Sequence, residues 1–182
     1  QVPVINAGFG SKSHPTQALL DLYTLHEHFG KLKGLRVLFV GDVEHSRVVA
    51  SNVCLLKSLG AEVKTCAPAQ FCKNTLTEVE NFENLNDAID WCDAYVGLRV
   101  QFERHEKAHD VFSRDEFVKS FSLNQSGLKR LSDQCVIMHP GPVNWGVEFQ
   151  NCVRQDSRLL MWRQKENGVY VRAALMEKIL GE

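Results

Sequence analysis

The fold class is decided by the stretch Arg36-Val37-Leu38-Phe39-Val40-Gly41-Asp42. Its apolar run predicts a buried strand. The chain then turns at Gly41-Asp42 and enters a predicted helix from about Ser46 to Leu59, which Gly60 ends. Another strand is predicted from Glu62 to Cys66, and the resulting strand-helix-strand unit indicates a parallel sheet.

The same alternation of strands and helices continues on both sides of this unit. Further strands are predicted at Val2 to Ile5, Ala94 to Val100 and Cys135 to Met138, and helices at Thr16 to His28, Leu85 to Trp91, Ser157 to Lys165 and Val169 to Leu180. The last two helices are separated by Asn167-Gly168. This order predicts an α/β fold with a three-layer, doubly wound parallel sheet of the Rossmann-like kind.

Composition narrows the range of functions. The chain has 182 residues, 44% hydrophobic and 24% charged, which suits one globular domain with a full core. A formal net charge of -1 and the lack of a long apolar run make nucleic acid and membranes unexpected partners. The six cysteines form no CxxC pair, which favours a reducing, cytoplasmic setting. Nucleotide-binding and metal-binding motifs are also absent from the sequence, so no cofactor and no metal are expected.

Four polar clusters stand out against the apolar pattern. They are Ser13 to Gln17, Gly41 to Arg47, Leu98 to Arg104 and His139 to Asn144. The last three lie where predicted strands end, and the first lies at a predicted helix start. Because ligands of doubly wound folds bind at the carboxyl ends of the strands, we expect these clusters to form a site.

The clusters carry side chains that suit a small polar ligand. His14 can donate a hydrogen bond to a carbonyl oxygen, and Gln17, one helical turn later, can hold an amide. Arg47 and Arg99 can each form a forked pair with a carboxylate, and Gln101 shares a face with Arg99 on an extended segment. A dicarboxylate with a nearby carbonyl group is the kind of ligand that these groups favour.

Each cluster also has a purely structural explanation. Ser13 can cap the helix while Gln17 lies on a solvated face. Arg47 can pair in water with a neighbouring carboxylate for little energy. Leu98 to Arg104 can be the charged face of an edge strand, and the prolines beside Gly141 can form a rigid connector.

In this order, the clusters resemble the second half of the aspartate carbamoyltransferases over essentially the whole chain. Val2 to Gly8 (VPVINAG) and His14 to Asp21 (HPTQALLD) are similar to the entry into the family's crossover helix between two domains. Leu98 to Gln101 (LRVQ) resembles its aspartate-binding strand. His139 to Asn144 (HPGPVN) and Asn167 to Arg172 (NGVYVR) match its closing segments.

The resemblance implies transfer of a carbamoyl group from carbamoyl phosphate to L-aspartate, a step of pyrimidine synthesis, without a cofactor. It implies that His14 polarises the carbamoyl carbonyl. Gln17 and the backbone of Gly141 and Pro142 would hold the carbamoyl group. Catalysis in this family rests mainly on orientation and charge stabilisation.

The resemblance likewise implies how aspartate would bind. The implied carboxylate-binding residues are Arg47, Arg99 and Gln101, with Glu103 supporting Arg99 from behind. The family's phosphate loop and the lysine loop donated by a neighbouring subunit have no counterpart in these 182 residues. We therefore expect a fragment that is inactive alone and belongs to a homotrimer in its full-length form.

Three parts of the chain are expected from the resemblance. Residues 1–30 would be a strand and the crossover helix, residues 31–165 the aspartate-binding domain, and residues 166–182 a helix that packs on a carbamoyl-phosphate domain outside this chain. Three departures from the family are also visible. Phe9 replaces an acidic residue, Trp145 replaces a common arginine, and Met161 to Arg163 is unusually bulky.

Two alternatives stay open. An ornithine carbamoyltransferase would accept a cationic amine, but that family has a cysteine in the loop that is His139 to Pro142 here, and Arg99 would repel ornithine. A non-catalytic relative could instead serve as a structural or regulatory subunit. The Trp145 departure and the absent phosphate half fit that second alternative.

Overall fold

The architecture is a five-stranded parallel sheet with flanking helices. A computed structural model describes residues 2–72, 79–102 and 113–181 of the chain. The strands are β1 (Arg36–Val40), β2 (Glu62–Cys66), β3 (Asn81–Phe82), β4 (Ala94–Gly97) and β5 (Val136–Met138). They lie in the order β3-β2-β1-β4-β5, and every neighbouring pair is parallel. The predicted α/β class with a parallel sheet is therefore confirmed.

Helices connect the strands and cover the sheet. The described helices are α1 (Pro15–Phe29), α2 (Arg47–Ser58), α3 (Leu85–Trp91), α4 (Arg114–Phe121), α5 (Gln125–Arg130) and α6 (Met161–Leu180), with short 3-10 turns at Ala69–Phe71 and Asn151–Gln155. Helix α1 packs against α2 and α6, whereas α3 packs against α5. None of these helices combines the length and apolar character needed to span a membrane.

The central strand, β1, lies in the middle of the hydrophobic core. Val37, Leu38, Phe39 and Val40 of β1 are all buried, because β1 is paired on both sides. Where β1 ends, the chain turns at Gly41 into α2, and the side chain of Ser46 caps that helix by accepting a hydrogen bond from the Val49 amide (3.4 Å).

Two predicted elements were wrong in detail at the ends of the chain. Val2 to Ile5 forms no strand, because its side chains are exposed and gain no burial in this chain. The two predicted closing helices are one helix, α6, which continues through Asn167-Gly168. The predicted domain boundary after residue 165 consequently lies inside a helix.

The contact between α1 and α6 explains why Asn167-Gly168 does not end the helix. The Asn167 side-chain amide donates to Thr24 Oγ1 (3.1 Å) and to Glu27 Oε2 (3.0 Å) on α1. A Cβ on Gly168 would lie 3.2 Å from Leu20 Cδ2, so glycine lets the two helices approach closely. A pair typical of a turn serves here as a helix-packing contact.

Some elements lie in a region for which the sequence analysis made no prediction. Helices α4 and α5 fill the space between residues 113 and 131. The start of α4 has a recognisable signal, since Ser113 and Glu116 form a reciprocal capping box. Strand β4 ends at Gly97, three residues earlier than predicted, although Leu98 still donates to the Val40 carbonyl oxygen (2.8 Å).

Gly97 provides a test of how tightly the carboxyl end of β4 is packed. A Cβ at Gly97 would lie 2.6 Å from Phe149 Cε1 and 3.0 Å from His139 Cδ2, so Gly97→Ala should lower the free energy of unfolding by about 1–3 kcal/mol. The comparison variant Gly168→Ala meets only the far ends of the flexible side chains of Arg172 (2.6 Å) and Leu20 (3.2 Å), which can shift, so it should be less destabilising than Gly97→Ala. Urea denaturation of both variants measures the difference. Equal stability of the two variants would contradict this description of the packing.

Candidate active site

A cavity of about 330 Å³ opens at the carboxyl ends of β1 and β4, and we call it the arginine cavity. Its lining consists of Gly10, Ser11, His45, Ser46, Arg47, Val48, Leu98, Arg99, Gln101, Pro140, Gly141 and Pro142. Five predicted site residues therefore share one cavity, namely Arg47, Arg99, Gln101, Gly141 and Pro142. Among the residues that the structure describes, this lining carries two arginines and no carboxylate.

The buried carboxylate of Asp42 holds two residues that line the arginine cavity, His45 and Gln101. Asp42 lies two residues after the end of β1 and accepts a hydrogen bond from the His45 amide (3.1 Å), with His45 Nδ1 3.0 Å from the same oxygen. Its second oxygen accepts from the Gln101 amide (3.3 Å). Asp42 thus ties the loop after β1 to the loop after β4, which brings Arg47 beside Gln101.

Two polar side chains of the arginine cavity, Arg47 and Gln101, are held by hydrogen bonds to backbone carbonyl oxygens. Arg47 Nη1 donates to the Gly10 carbonyl oxygen (3.2 Å), and the Gln101 side-chain amide donates to the His45 carbonyl oxygen (3.1 Å). The expectation that Glu103 supports Arg99 lies outside the described residues. Held side chains lose less conformational entropy when a ligand arrives.

Glu148 is a second buried carboxylate that sequence reasoning missed. It accepts from the Val100 amide (2.7 Å), and from both the backbone amide (2.7 Å) and the side-chain amide (2.9 Å) of Asn144. Burial raises the pKa of Glu148, and these donors oppose that rise. The signal in the sequence is a lone acid between Val147 and Phe149, where an alternating pattern would place a solvated side chain.

A second cavity, also of about 330 Å³, lies on the other side of the Pro140-Gly141-Pro142 loop, and we call it the tryptophan cavity. Gln17, Gln164 and Arg172 supply polar groups to it. The bulky departures noted in the sequence, Trp145 and Met161-Trp162, line the same cavity. Trp145 makes a cation–π contact with the Arg154 guanidinium, whose central carbon lies 4.1 Å from the ring centroid.

The loop between the cavities is fixed by His139. Its Nδ1 accepts from the Gly141 amide (2.9 Å), and its own backbone amide donates to Gln164 Oε1 (3.1 Å). Burial lowers the pKa of His139 to about 3, so the ring is neutral at physiological pH. The Gly141-Pro142 peptide bond is cis. With the Gly141 amide engaged and no amide hydrogen on the prolines, the loop presents carbonyl oxygens.

Gln17 does not lie on a solvated face, contrary to the structural alternative. Its side chain is 8% exposed and donates to Asp21 Oδ1 (2.9 Å). Asp21 also accepts from Gln164 Nε2 at Oδ1 (2.6 Å) and from Asn52 Nδ2 at Oδ2 (2.9 Å). Burial raises the pKa of Asp21 to about 6, although these three donors and the charge of Arg172 favour the ionised form.

His14 occupies the N-cap position of α1, where Ser13 was the alternative. Its backbone amide donates to Ser51 Oγ (2.9 Å), and its side chain makes no capping hydrogen bond. Burial lowers the pKa of His14, and the charges of Arg47 and Arg172 lower it further. A neutral imidazole beside two guanidinium groups can donate one hydrogen bond to a ligand oxygen without carrying a charge itself.

The remaining departure, Phe9, is exposed and forms an isolated bridge with Ser13, with Lys12 Nζ lying 5.9 Å from the Phe9 ring centroid. It lines neither cavity. Within residues 2–72, 79–102 and 113–181, no cluster of three or more histidine, cysteine, aspartate or glutamate side chains is arranged to hold a metal ion. All six cysteines are free thiols.

Comparison with known proteins decides the family. The model of the aspartate/ornithine carbamoyltransferase Asp/Orn binding domain matches residues 33–179. The chain belongs to this family. The model of the family's carbamoyl-P binding domain matches residues 1–27.

Several relatives of this chain are catalytic subunits of aspartate carbamoyltransferases. It is 42% identical to the aspartate carbamoyltransferase catalytic subunit of Chlorobium chlorochromatii, over 99% of this chain and 60% of that protein. It is 40% identical to the corresponding subunit of Streptococcus uberis, over 97% of this chain and 57% of that protein. The chain thus spans about 60% of the length of the relatives that it matches.

Solved structures of both branches of the family share the fold. The catalytic subunit of M. jannaschii aspartate transcarbamoylase is 30% identical, with a TM-score of 0.79 over 100% of this chain and 60% of that one. Ornithine carbamoyltransferase from Thermus thermophilus is 27% identical, with a TM-score of 0.83 over 99% and 60%. Aspartate transcarbamoylase from Trypanosoma cruzi in complex with carbamoyl phosphate is 26% identical, with a TM-score of 0.80 over 97% and 59%.

The raised pKa of Asp21 predicts a pH-dependent stability. Between the unfolded value of 3.8 and the folded value of about 6, the folded state binds the proton more tightly, so stability falls as pH rises through this range. Relative to Asp21→Asn, the wild type should lose on the order of 3 kcal/mol of unfolding free energy between pH 4 and pH 7. Urea denaturation at several pH values measures this difference, and a difference that does not vary with pH would contradict the prediction.

Proposed function

We propose that this chain supplies the aspartate-binding half of an aspartate carbamoyltransferase, which transfers the carbamoyl group of carbamoyl phosphate to the amine of L-aspartate in de novo pyrimidine synthesis. One observation carries the proposal. The arginine cavity places Arg47, Arg99 and the Gln101 amide around one space with no carboxylate in its described lining. Two guanidinium groups and an amide donor match the two carboxylates of aspartate.

The charge of the cavity favours aspartate over ornithine. The fold does not discriminate, because solved aspartate and ornithine enzymes resemble this chain equally well. An ornithine side chain would bring an ammonium group toward Arg47 and Arg99, where like charges repel. The same two charges attract a dicarboxylate, so the amine substrate is selected by electrostatics.

The carbamoyl group fits where the two cavities meet. The loop Pro140-Gly141-Pro142 lines both cavities, and its carbonyl oxygens can accept from the carbamoyl NH2 group. Gln17 lines the tryptophan cavity together with this loop. His14 lines neither cavity, but it lies at the start of α1, three residues before Gln17, where its neutral ring can donate to the carbamoyl oxygen. In this arrangement the aspartate in the arginine cavity lies next to the carbonyl carbon that it attacks.

The reaction follows from this placement. The deprotonated amine of aspartate attacks the carbamoyl carbon, negative charge grows on the carbonyl oxygen, and His14 stabilises that charge by its hydrogen bond. The C–O bond to phosphate then breaks, and the departing phosphate takes up the proton that the attacking amine loses. The chain contributes orientation and charge stabilisation, and no covalent bond to the enzyme forms.

In this proposal, a carbamoyl-phosphate domain outside this chain binds the phosphate group of the substrate. Helices α1 and α6 expose an apolar groove lined by Leu19, Tyr23, Tyr170, Val171 and Leu175, of about 560 Å³. This exposed groove supports the proposal that a carbamoyl-phosphate domain packs on both helices. The homotrimer and the cytoplasmic setting that the resemblance implies stay predictions.

Arg99 tests the assignment of the amine substrate. In the polypeptide that joins this chain to a carbamoyl-phosphate domain, Arg99→Ala should raise the KM for aspartate by about 10- to 100-fold, because one charged hydrogen-bonding partner is lost. The KM for carbamoyl phosphate should change little. Carbamoyl aspartate formation is measured, with ornithine as the control amine and Arg130→Ala, which removes a surface pair with Asp90, as the matched arginine control.

The possible outcomes separate the alternatives. Product with aspartate alone supports the proposal, whereas product with ornithine alone would assign the chain to the other branch of the family. No product with either amine would favour a structural or regulatory subunit.

The chain alone gives a further prediction. Purified residues 1–182 should form no carbamoyl aspartate above the uncatalysed rate, because the family's phosphate loop has no counterpart in this sequence. Adding the carbamoyl-phosphate domain in the same polypeptide should restore turnover. Turnover by the rigorously purified chain would refute this division of the active site.

A further inference from the structure

Asp21 is a buried carboxylate that links three helices. Asp21 is 2% exposed, and its carboxylate accepts three hydrogen bonds, one from each of the helices α1, α2 and α6. Gln17 and Gln164 donate to Oδ1, and Asn52 donates to Oδ2. A buried carboxylate is costly unless it is well paired, so this arrangement needs an explanation beyond packing.

The carboxylate dictates which way the Gln17 amide points. An ionised carboxylate only accepts hydrogen bonds, so Gln17 must turn its NH2 group toward Asp21. Its side-chain oxygen is then directed away from Asp21, on the residue that lines the tryptophan cavity beside the Pro140-Gly141-Pro142 loop. An oxygen in this place is an acceptor for a ligand NH2 group.

The second bond to Oδ1 fixes the loop itself. Gln164 donates to Asp21 through Nε2 (2.6 Å), and its Oε1 accepts from the His139 amide (3.1 Å). His139 in turn holds the Gly141 amide through Nδ1 (2.9 Å). One carboxylate oxygen is therefore connected to both groups that would hold the carbamoyl moiety, directly to Gln17 and through Gln164 to the loop.

We propose that Asp21 is the positioning residue of the carbamoyl subsite, aligning the Gln17 side chain and the Pro140-Gly141-Pro142 loop through a single oxygen. The inference rests on the proposed function and deepens it. The hydrogen-bond partners of Asp21 are Gln17, Asn52 and Gln164. In the arginine cavity, Gln101 is held instead by Asp42 and the His45 carbonyl oxygen, and Arg47 by the Gly10 carbonyl oxygen. The two substrates are thus aligned by separate buried groups.

The test compares kinetic constants in the full polypeptide with its carbamoyl-phosphate domain. Asp21→Ala should raise the KM for carbamoyl phosphate by about tenfold or more and lower kcat, while the KM for aspartate stays within about twofold. Asp21→Asn keeps one acceptor oxygen for Gln17 and Gln164 and turns its NH2 group toward Asn52, whose side-chain amide must then turn over so that its Oδ1, which has no partner in the wild type, accepts the bond. It should therefore restore the KM for carbamoyl phosphate to within about threefold of the wild type.

The matched control is Thr24→Val, one turn further along α1. It removes the bond between Thr24 and Asn167, which also joins α1 to α6 but has no connection to Gln17 or to His139. This variant should lower the unfolding midpoint and leave both KM values unchanged. If Asp21→Ala does not fold, Gln164→Met replaces it in the test. This variant removes the hydrogen bonds that connect Asp21 to His139, so it should raise the KM for carbamoyl phosphate and leave the KM for aspartate unchanged.

The failures of the two proposals look different. A wild-type polypeptide without carbamoyl aspartate formation would overturn the proposed function and this inference with it. If the wild type is active, the inference about Asp21 is overturned, and the proposed function is not, by either of two results. One is an equal change in both KM values in Asp21→Ala, and the other is an Asp21→Asn variant as impaired as Asp21→Ala.

Discussion

The close approach of Gly41 to Leu98 is the constraint on which the site depends. Strand β1 pairs in parallel with β4, and both end at the same edge of the sheet. Gly41 has a φ of 131°, and a Cβ there would lie 2.6 Å from the Leu98 carbonyl oxygen. Only glycine lets the two loops touch, and this contact places the start of α2, with Arg47, opposite Arg99.

Buried carboxylates then hold the loops that the sheet brings together. Asp42 joins the loop after β1 to the loop after β4. Glu148 joins the loop after β4 to the segment after Pro142. Asp21 joins the helices α1, α2 and α6 next to the proposed carbamoyl subsite. Each carboxylate meets at least two amide donors, which offset the cost of its burial. Loops that lack regular hydrogen bonding thereby gain a fixed geometry, as binding of a small substrate requires.

The sequence predicted the class of fold because the strands are short apolar runs separated by clear helix signals. The helices Leu85–Trp91 and Pro15–Phe29 agree with the prediction within two residues, since Trp91 and Gly30 lie at strong boundaries. Strand β3 was missed because two residues give no periodicity. Asn167-Gly168 was assigned to a turn because local preference favours one, whereas contact with Thr24 and Glu27 keeps it helical.

Part of the candidate site was predictable from the polar residues at the ends of the predicted strands. Arginine and glutamine at strand ends are visible in sequence, and Arg47, Arg99 and Gln101 do line one cavity. The supporting residues were hidden, because Asp21 and Glu148 are acids within otherwise apolar segments and burial cannot be inferred from spacing alone. Some of their partners are distant in sequence, by 143 residues for Asp21 and Gln164 and by 48 residues for Glu148 and Val100.

The central claim is that the arginine cavity binds a dicarboxylate. The most direct measurement is calorimetric titration of the polypeptide that carries both domains, in the presence of carbamoyl phosphate, with succinate, a dicarboxylate that has no amine to react, and with 1,4-diaminobutane. Two guanidinium groups in one cavity predict saturable binding of succinate that weakens as salt is added, and no binding of the diamine. Binding of the diamine in preference to succinate would contradict the account.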